Sequence, residues 1–282
     1  MDIKFDKFEE QIFLNTVLIK NTGSNILGTG FLLQKPTLNG RAKFILFSNK
    51  HVFWGEEYQK VADNAENHFE ITLHNKDADG SYKLEKISNF RFKINKSSVN
   101  YFEHPNPDID IACVNISAAF NQPGITLNVR AIEIDKFIDF DLSTIHCGQK
   151  VVFIGYPTGF FDKKNFLPIM RSGIIASIPD IDFQGKQQIL IDAQVFPGSS
   201  GSPVFVEVGG KYKLLGIISD GVIKELGFTK IKKTGEAEDE KYLPIEFIGL
   251  GLVFKYTAIK EVYDAVPVPR QELASETKKV LT

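Results

Sequence analysis

The chain has 282 residues, enough for one large β domain or two small ones. Its 43% hydrophobic and 24% charged residues are typical of a globular protein, and 24 phenylalanines can fill substantial cores. A net charge of −2 at pH 7 argues against a general attraction to nucleic acid or anionic membranes. No apolar run approaches the roughly 20 residues that cross a bilayer. We therefore expect neither a nucleic-acid nor a membrane partner.

Short apolar runs separated by turn residues predict strands along most of the chain. Six candidate strands come first, at residues 12–20, 26–34, 42–49, 68–75, 84–94 and 110–116. After a mixed connection, six more follow at residues 151–157, 170–178, 187–195, 202–208, 213–221 and 248–256. Helical periodicity is clear only in "TAIKEVYDAV", which predicts a closing helix. Many evenly spaced short strands indicate a sandwich or barrel.

Two segments near the end of the chain are polar. The stretch from Lys224 to Tyr242 is a charged insertion between two late strands, and it is either a solvated loop or a gate or lining of a substrate cleft. The tail, residues 267–282, is polar, has two prolines in "PVPRQ", and is expected to be loosely ordered.

The N-terminus and the cysteines indicate a cellular compartment. The start "MDIKFDKFEEQIF" lacks the positive end, apolar centre and cleavage site of a secretory signal, so we expect a cytoplasmic protein. Cys113 and Cys147 both lie beside apolar residues, which favours two reduced, partly buried thiols, with one disulfide left open. Because soft ligands are few and not clustered, we expect no metal and no cofactor.

The stretch "VFPGSSGSPVF", Val195 to Phe205, interrupts one strand and at once begins another. Gly, Ser and Pro are ordinary turn residues, but the same loop could also hold a nucleophile. Ser200 would need a base within hydrogen-bond reach, and the base would need an orienting acceptor. Of the five histidines, His51 is the one that a hydrophobic run, "FILFSNKHVF", delivers to a strand end. Taken alone, such a histidine is more often structural.

An acid enters an apolar run further along, in "HPNPDIDIACVNI". Asp110 directly precedes Ile111, where a carboxylate is costly unless it has a partner, and a histidine N–H is one such partner. Asp108 is better interpreted as a turn residue between Pro107 and the strand.

Together these residues resemble the trypsin/chymotrypsin-like serine peptidases, and most of all bacterial trypsin-like and HtrA/Deg-type enzymes. The resemblance rests on His51 in "SNKHV", Asp110 in "DIDIA" and Ser200 in "GSSGSP", in the chain order of that fold. "GTGFLL", "IGYPTG", "MRSGIIAS" and "LLGIIS" support it, and it covers roughly Ile12 to Val266. Unlike many HtrA members, this sequence has no PDZ-like segment after the peptidase region.

The resemblance implies an all-β fold of two six-stranded antiparallel barrels with a short C-terminal helix. Residues 1–125 would form the first barrel, 126–148 the connection, 149–266 the second barrel with the helix, and 267–282 the tail. His51, Asp110 and Ser200 would form a catalytic triad in the crevice between the barrels, and the backbone N–H groups of Gly198 and Ser200 an oxyanion hole. The substrate would be a protein or peptide.

Two departures from the family pattern matter. Digestive members place an aspartate before the serine, where it pairs with an N-terminus released by zymogen cleavage, but here that residue is Ser199. We therefore expect that no N-terminal processing is needed. Ser202 stands where those enzymes have a second glycine, as some bacterial relatives allow.

The resemblance also assigns a substrate pocket. Its base would lie near Gln194, with walls from Ser219-Asp220-Gly221 and from the strand between Gly249 and Gly251. Glycines there suggest an open wall, and Gln194 offers no fixed charge that would select Arg or Lys.

Three alternatives stay open. A peptidase-shaped binding module is disfavoured because all three triad positions are filled. A peptidase that is dormant until a signal or a regulatory protein partner activates it is compatible with the charged insertion. Esterase chemistry is disfavoured because "SPVFVEV" continues as a strand, whereas an esterase serine usually opens a helix.

Overall fold

The computed structural model describes residues 7–37, 42–76, 82–121, 127, 131–225, 229–230, 241–242 and 245–267. Most of the charged insertion and the tail after Pro267 lie outside these residues. The helices are α1 (Phe8–Asn15), α2 (Lys50–Trp54), α3 (Ile134–Phe137) and α4 (Tyr256–Ala265). Among the described residues, no helix is both long and apolar enough to span a bilayer.

The strands divide into two groups. The front half contains β1 (Thr16–Asn21), β2 (Leu27–Pro36), β3 (Ala42–Ser48), β4 (Glu66–Lys76), β5 (Tyr82–Asn95), β6 (Tyr101–Glu103), β7 (Ala112–Asn115) and β8 (Ile132–Glu133). The rear half contains β9 (Lys150–Gly155), β10 (Ile169–Ile175), β11 (Gln188–Asp192), β12 (Pro203–Val208), β13 (Lys211–Glu225), β14 (Thr229–Lys230), β15 (Lys241–Tyr242) and β16 (Ile245–Lys255).

The rear half is the predicted six-stranded barrel. Its strands close in the order β10-β11-β16-β13-β12-β9, and all its pairings are antiparallel. Alternating apolar side chains such as Val151, Phe153, Val204 and Val206 fill its interior. The expected mostly β, chymotrypsin-like architecture with one C-terminal helix is confirmed.

The front half differs from a closed six-stranded barrel. Its described strands form an eight-stranded, half-barrel sheet in the order β5-β4-β1-β2-β3-β7-β6, with β8 added in parallel to β2. The sheet does not close between β5 and β6 in the described part of the chain. β5 has 14 residues, whereas β6, at the other end of the sheet, has only three.

A helix replaces the first part of the first predicted strand. Residues from Phe8 to Asn15 are α-helical, and the strand begins only at Thr16. Phe8 and Ile12 are one helical turn apart and both pack into the core between the halves. The amide of buried Asn15 donates to the carbonyl of Leu32 at 2.6 Å, which fixes the point where helix becomes strand.

One core cluster joins the two halves. It includes Phe31 and Phe47 of the front sheet, Ile154 and Phe205 of the rear barrel, and Ile259 of α4. Because burial of apolar surface stabilises by about 25 cal/mol per Å², this shared core holds the facing edges of the halves against each other. The cleft described below lies on that boundary.

The cysteines are both free thiols, and they differ in environment. Cys113 on β7 is buried in the shared core, where burial raises its pKa far above the ordinary value. Cys147 is exposed, contrary to the expectation of partial burial, because it lies in the turn that precedes β9.

Candidate active site

One cleft of about 610 Å³ is lined by all three predicted triad residues. His51 and Asp110 line it from the front half, and Ser200 lines it from the rear half. The structure therefore brings together residues that are far apart in sequence, at the boundary that the shared core creates.

His51 lies on a helix, not at a strand end as the sequence predicted. Strand β3 ends at Ser48, and His51 is the second residue of α2, which is only five residues long. Gly55 ends this helix at φ +92°, and its N–H donates to the carbonyl of His51 at 2.7 Å. Val52 and Phe53 are fully buried, so their packing holds the helix in place.

The imidazole of His51 is fixed by Asp110. The two atoms Nδ1 of His51 and Oδ2 of Asp110 are 2.5 Å apart, and the backbone N–H of His51 donates to Oδ1 at 3.1 Å. A carboxylate can only accept, so in the neutral imidazole Nδ1 carries the proton and Nε2 is left as an acceptor. The side-chain amide of Asn49 donates to the carbonyl of Asp110 at 2.6 Å, which anchors the acid from behind.

The pKa of His51 is shifted by opposing influences. Burial lowers it, whereas the hydrogen bond and the charge of Asp110 raise it, with smaller contributions from the carboxylates of Glu56 and Asp220. The net effect is a pKa above the ordinary 6.5. The imidazolium is thus stabilised by surrounding negative charge, as a base that takes a proton during a reaction requires.

The loop before and after Ser200 has an unusual backbone. Gly198 and Gly201 have φ of +86° and +88°, which residues with a Cβ rarely adopt. A Cβ on Gly198 would also lie 2.5 Å from the carbonyl oxygen of Tyr156. These two glycines are therefore required by the loop itself.

Backbone N–H groups of this loop are available to a ligand. The carbonyl of Pro197 accepts from the N–H of Thr158 at 2.5 Å, and in a trans peptide the following N–H, that of Gly198, points the opposite way. Among the described residues, neither the N–H of Gly198 nor that of Ser200 has an acceptor. Such unpaired donors can bind an oxyanion.

Ser200 is partly buried and lies beside these donors. No hydrogen bond joins its hydroxyl to His51 within the described chain, which is common before substrate binds. The strand β12 begins at Pro203, directly after the loop, so Ser200 is not on the strand-to-helix turn typical of esterases.

The predicted pocket residues separate into two groups. Ser219, Asp220 and Gly221 line the cleft, whereas Gln194, Gly249 and Gly251 are not among its described lining residues. Gln194 is exposed, and its backbone carbonyl accepts from the guanidinium of Arg171 at 2.5 Å.

Val195 takes the space that the glycines leave. It lines the cleft and is 3% exposed. A Cβ on Gly251 would lie 2.5 Å from Cγ2 of Val195, and one on Gly221 would lie 2.7 Å from the carbonyl oxygen of Val195. The glycines therefore admit Val195 and do not open a wall of the cleft at this point.

Three residues near the site were not identified from the sequence. Thr29 touches the Ser200 loop, Asn49 anchors Asp110, and Lys50 contacts the segment before Asp110. The one available signal was their position inside the motifs "GTGFLL" and "SNKHV", where polar residues lie within or directly after buried apolar runs. Within the described ranges, no group of three His, Cys, Asp or Glu side chains is placed to hold a metal ion.

The sequence profile of the trypsin-like peptidase domain matches residues 28–217. Because this match spans more than half of the chain, the protein belongs to the trypsin-like peptidase family. The sequence-based expectation of a trypsin-like serine endopeptidase is confirmed. The matched region includes His51, Asp110 and Ser200.

Solved structures show more distant similarity. The crystal structure of Deg5 is 17% identical, with a TM-score of 0.45, and the match covers 75% of this chain and 81% of that one. The HtrA-type protease AlgW with tripeptide is 18% identical, with a TM-score of 0.47, covering 90% of this chain and 60% of that one. This chain thus spans less than two thirds of the length of AlgW. Comparison with curated proteins gives no match.

Proposed function

We propose that the protein hydrolyses peptide bonds through an acyl-enzyme, with Ser200 as nucleophile, His51 as general base and then acid, and Asp110 as the group that orients His51. The observation that carries this proposal is the bond between Nδ1 of His51 and Asp110 in the cleft that Ser200 also lines. It leaves Nε2 of His51 to accept a proton.

The reaction begins when Oγ of Ser200 attacks the peptide carbonyl carbon and its proton passes to Nε2 of His51. The carbonyl π bond breaks, and the N–H groups of Gly198 and Ser200 donate hydrogen bonds that stabilise the negative charge on its oxygen. The C–N bond then breaks, and His51 gives its proton to the leaving amine. Water repeats the sequence on the ester and releases the acid and free Ser200. Each oxyanion donor supplies about 3–4 kcal/mol of barrier lowering.

The state of the loop favours competence without proteolytic processing. The unpaired N–H of Gly198 supports the proposal that the oxyanion hole needs no processing to form. Ser199, which replaces the aspartate of zymogen-activated members, is buried, and its N–H donates to the carbonyl of Phe196 at 2.9 Å. Activity measured on protein whose intact mass shows an untrimmed N-terminus supports this; strict dependence on trimming contradicts it.

Substrate selection would follow from Val195, which lines the cleft and fills the space beside Gly221 and Gly251. We propose that this side chain limits the residue before the cleaved bond to a small one. A regulatory partner and the cytoplasmic address remain predictions.

A fluorophosphonate probe tests the proposal, because it labels only an activated serine. We expect labelling of the wild type, none of Ser200→Ala, and a fall in rate of about 10⁴ in Asp110→Asn. Ser202→Ala is the matched control, since the hydroxyl of Ser202 is fully buried without a hydrogen-bond partner in the described chain. Labelling of Ser200→Ala would contradict the assignment. No labelling of the folded wild type would favour a dormant peptidase or a binding module.

A further inference from the structure

Thr29 of strand β2 reaches across the boundary between the halves to the loop from Pro197 to Gly201, which we call the oxyanion loop. We propose that Thr29 is the positioning residue that keeps this loop in the conformation in which the N–H of Gly198 is unpaired and can bind an oxyanion. The inference rests on the proposed function, and it assigns to a front-half hydroxyl the task for which zymogen-activated members use an ion pair.

Thr29 makes two hydrogen bonds to carbonyl groups of the oxyanion loop. Its Oγ1 donates to the carbonyl of Gly198 at 2.8 Å, and its backbone N–H donates to the carbonyl of Ser200 at 2.8 Å. Both contacts join residues about 170 positions apart in sequence. Thr29 is fully buried, so these bonds are not exchanged with water.

The direction of the hydroxyl bond is fixed. Oγ1 of Thr29 also accepts from the N–H of Tyr156 at 3.0 Å. A hydroxyl has a single proton, and the Tyr156 N–H can only donate, so that proton must point to the Gly198 carbonyl. A Cβ on Gly155 would lie 2.7 Å from this hydroxyl, which explains the glycine in the motif "IGYPTG".

The backbone of Thr29 is held from the other side as well. Its carbonyl accepts at 2.6 Å from Oγ of Ser48, the last residue of strand β3. A Cβ on Gly201 would overlap the Thr29 carbonyl oxygen, so the loop packs directly against this strand. Thr29 therefore has no freedom to leave the loop without breaking the sheet.

These bonds determine which way the peptide planes of the hole face. The N–H of Gly198 lies between two tethered carbonyls, that of Pro197, held by Thr158, and that of Gly198 itself, held by Thr29. The hole closes if the peptide between Pro197 and Gly198 turns over and places its carbonyl inward. Loss of the Thr29 hydroxyl frees one of the two tethers and leaves a buried carbonyl and a buried N–H unpaired, which favours such a rearrangement.

The experiment compares Thr29→Val, which replaces the hydroxyl by a methyl group of similar size, with Thr29→Ser, which keeps it. We measure the second-order rate of fluorophosphonate labelling, its pH dependence and the melting temperature. Removal of a whole oxyanion donor costs about 10²–10³ in rate, so we expect a fall of about 10–100-fold in Thr29→Val. Thr29→Ser should stay within about three-fold of wild type, and the pH midpoint should not move, because the His51–Asp110 pair is untouched.

The matched control is Thr16→Val. Thr16 is also a buried threonine of the front sheet, but its hydroxyl has no hydrogen-bond partner among the described residues. We expect its labelling rate to equal that of wild type. A wild-type rate in Thr29→Val, or an equal fall in Thr29→Ser, overturns the proposal. If Thr29→Val does not fold, Thr29→Ala is measured in its place and is judged by the same two outcomes.

A crystallographic readout separates this inference from the proposed function. Wild type and Thr29→Val are compared for the orientation of the peptide between Pro197 and Gly198, which needs no activity. A turned or disordered peptide in the variant supports the inference even if the wild type is not labelled. An unchanged loop overturns it even if the wild type is an active peptidase.

Discussion

Lys50 is next to His51 in the sequence, but its side chain points into the front half and is only 2% exposed. Its ammonium donates to the carbonyl of His104 at 2.9 Å and to that of Asn106 at 3.2 Å. These carbonyls belong to the segment that leads into Asp110. We predict that Lys50→Met loosens this segment and thereby weakens the orientation of His51.

The expected loss of stability can be worked out from these two bonds. The carbonyl of His104 is buried, and leaving a buried acceptor without its donor costs about 1–3 kcal/mol. Asn106 is exposed, so water can replace the lost donor at its carbonyl. The variant also no longer buries an ammonium, which offsets part of the loss. We therefore expect the free energy of unfolding to fall by about 1–3 kcal/mol, and the labelling rate of the folded protein to fall by about ten-fold, because Asp110 would hold the imidazole less well.

Lys35→Met is the matched control. Lys35 is also buried, and its ammonium donates to the carbonyls of Tyr263 and Asp264 at 2.6 and 3.4 Å, far from the cleft. Urea unfolding should show a similar loss for both variants, whereas labelling below the unfolding transition should fall only for Lys50→Met. Equal labelling rates for the two folded variants would refute the reasoning, as would an unchanged stability of Lys50→Met.

Three further predictions concern the cleft. The labelling rate should rise with pH through a midpoint above 6.5, because neutral His51 is the base and its pKa is raised. Asp110→Asn should lower that midpoint. The free energy of unfolding that the pair of protonated His51 and Asp110 contributes should be lost as pH rises through the raised pKa of His51. Gly198→Ala should reduce labelling by about 100-fold, measured beside Gly209→Ala, which also has positive φ but open space around it. Val195→Gly should shift cleavage of a peptide library toward larger residues before the cut; an unchanged preference would show that Val195 does not limit the pocket.

The strand positions, and the meeting of His51, Asp110 and Ser200 in one cleft, were predictable because their signals are local or ordered along the chain. Alternation of apolar residues identified the rear barrel strand by strand, and the chain order of His51, Asp110 and Ser200 pointed to the family. The helix that carries His51 was not predictable, since five residues are too few for helical periodicity to show. For the same reason, β6 and β8, of three and two residues, gave no pattern.

The supporting residues were not predictable, because each acts across a long sequence distance. Asn49 holds Asp110 from 61 positions away, and Thr29 holds Gly198 from 169. A threonine between two glycines in a buried strand offers no local clue to its partner. Val195 was missed in a similar way, because glycines at positions 221 and 251 indicate space but not the neighbour that fills it.

The last helix, α4, contacts β13 and β16 of the rear barrel and also β6 and β7 of the front sheet. Nε2 of His104, at the start of the segment that carries Asp110, lies 2.9 Å from a carboxylate oxygen of Glu261, and Ile259 belongs to the core shared by both halves. The two residues of this contact are 157 positions apart in the sequence. The segment that carries Asp110 therefore reaches its final packing only when α4 has docked, so the loss of this helix would loosen the cleft from a distance.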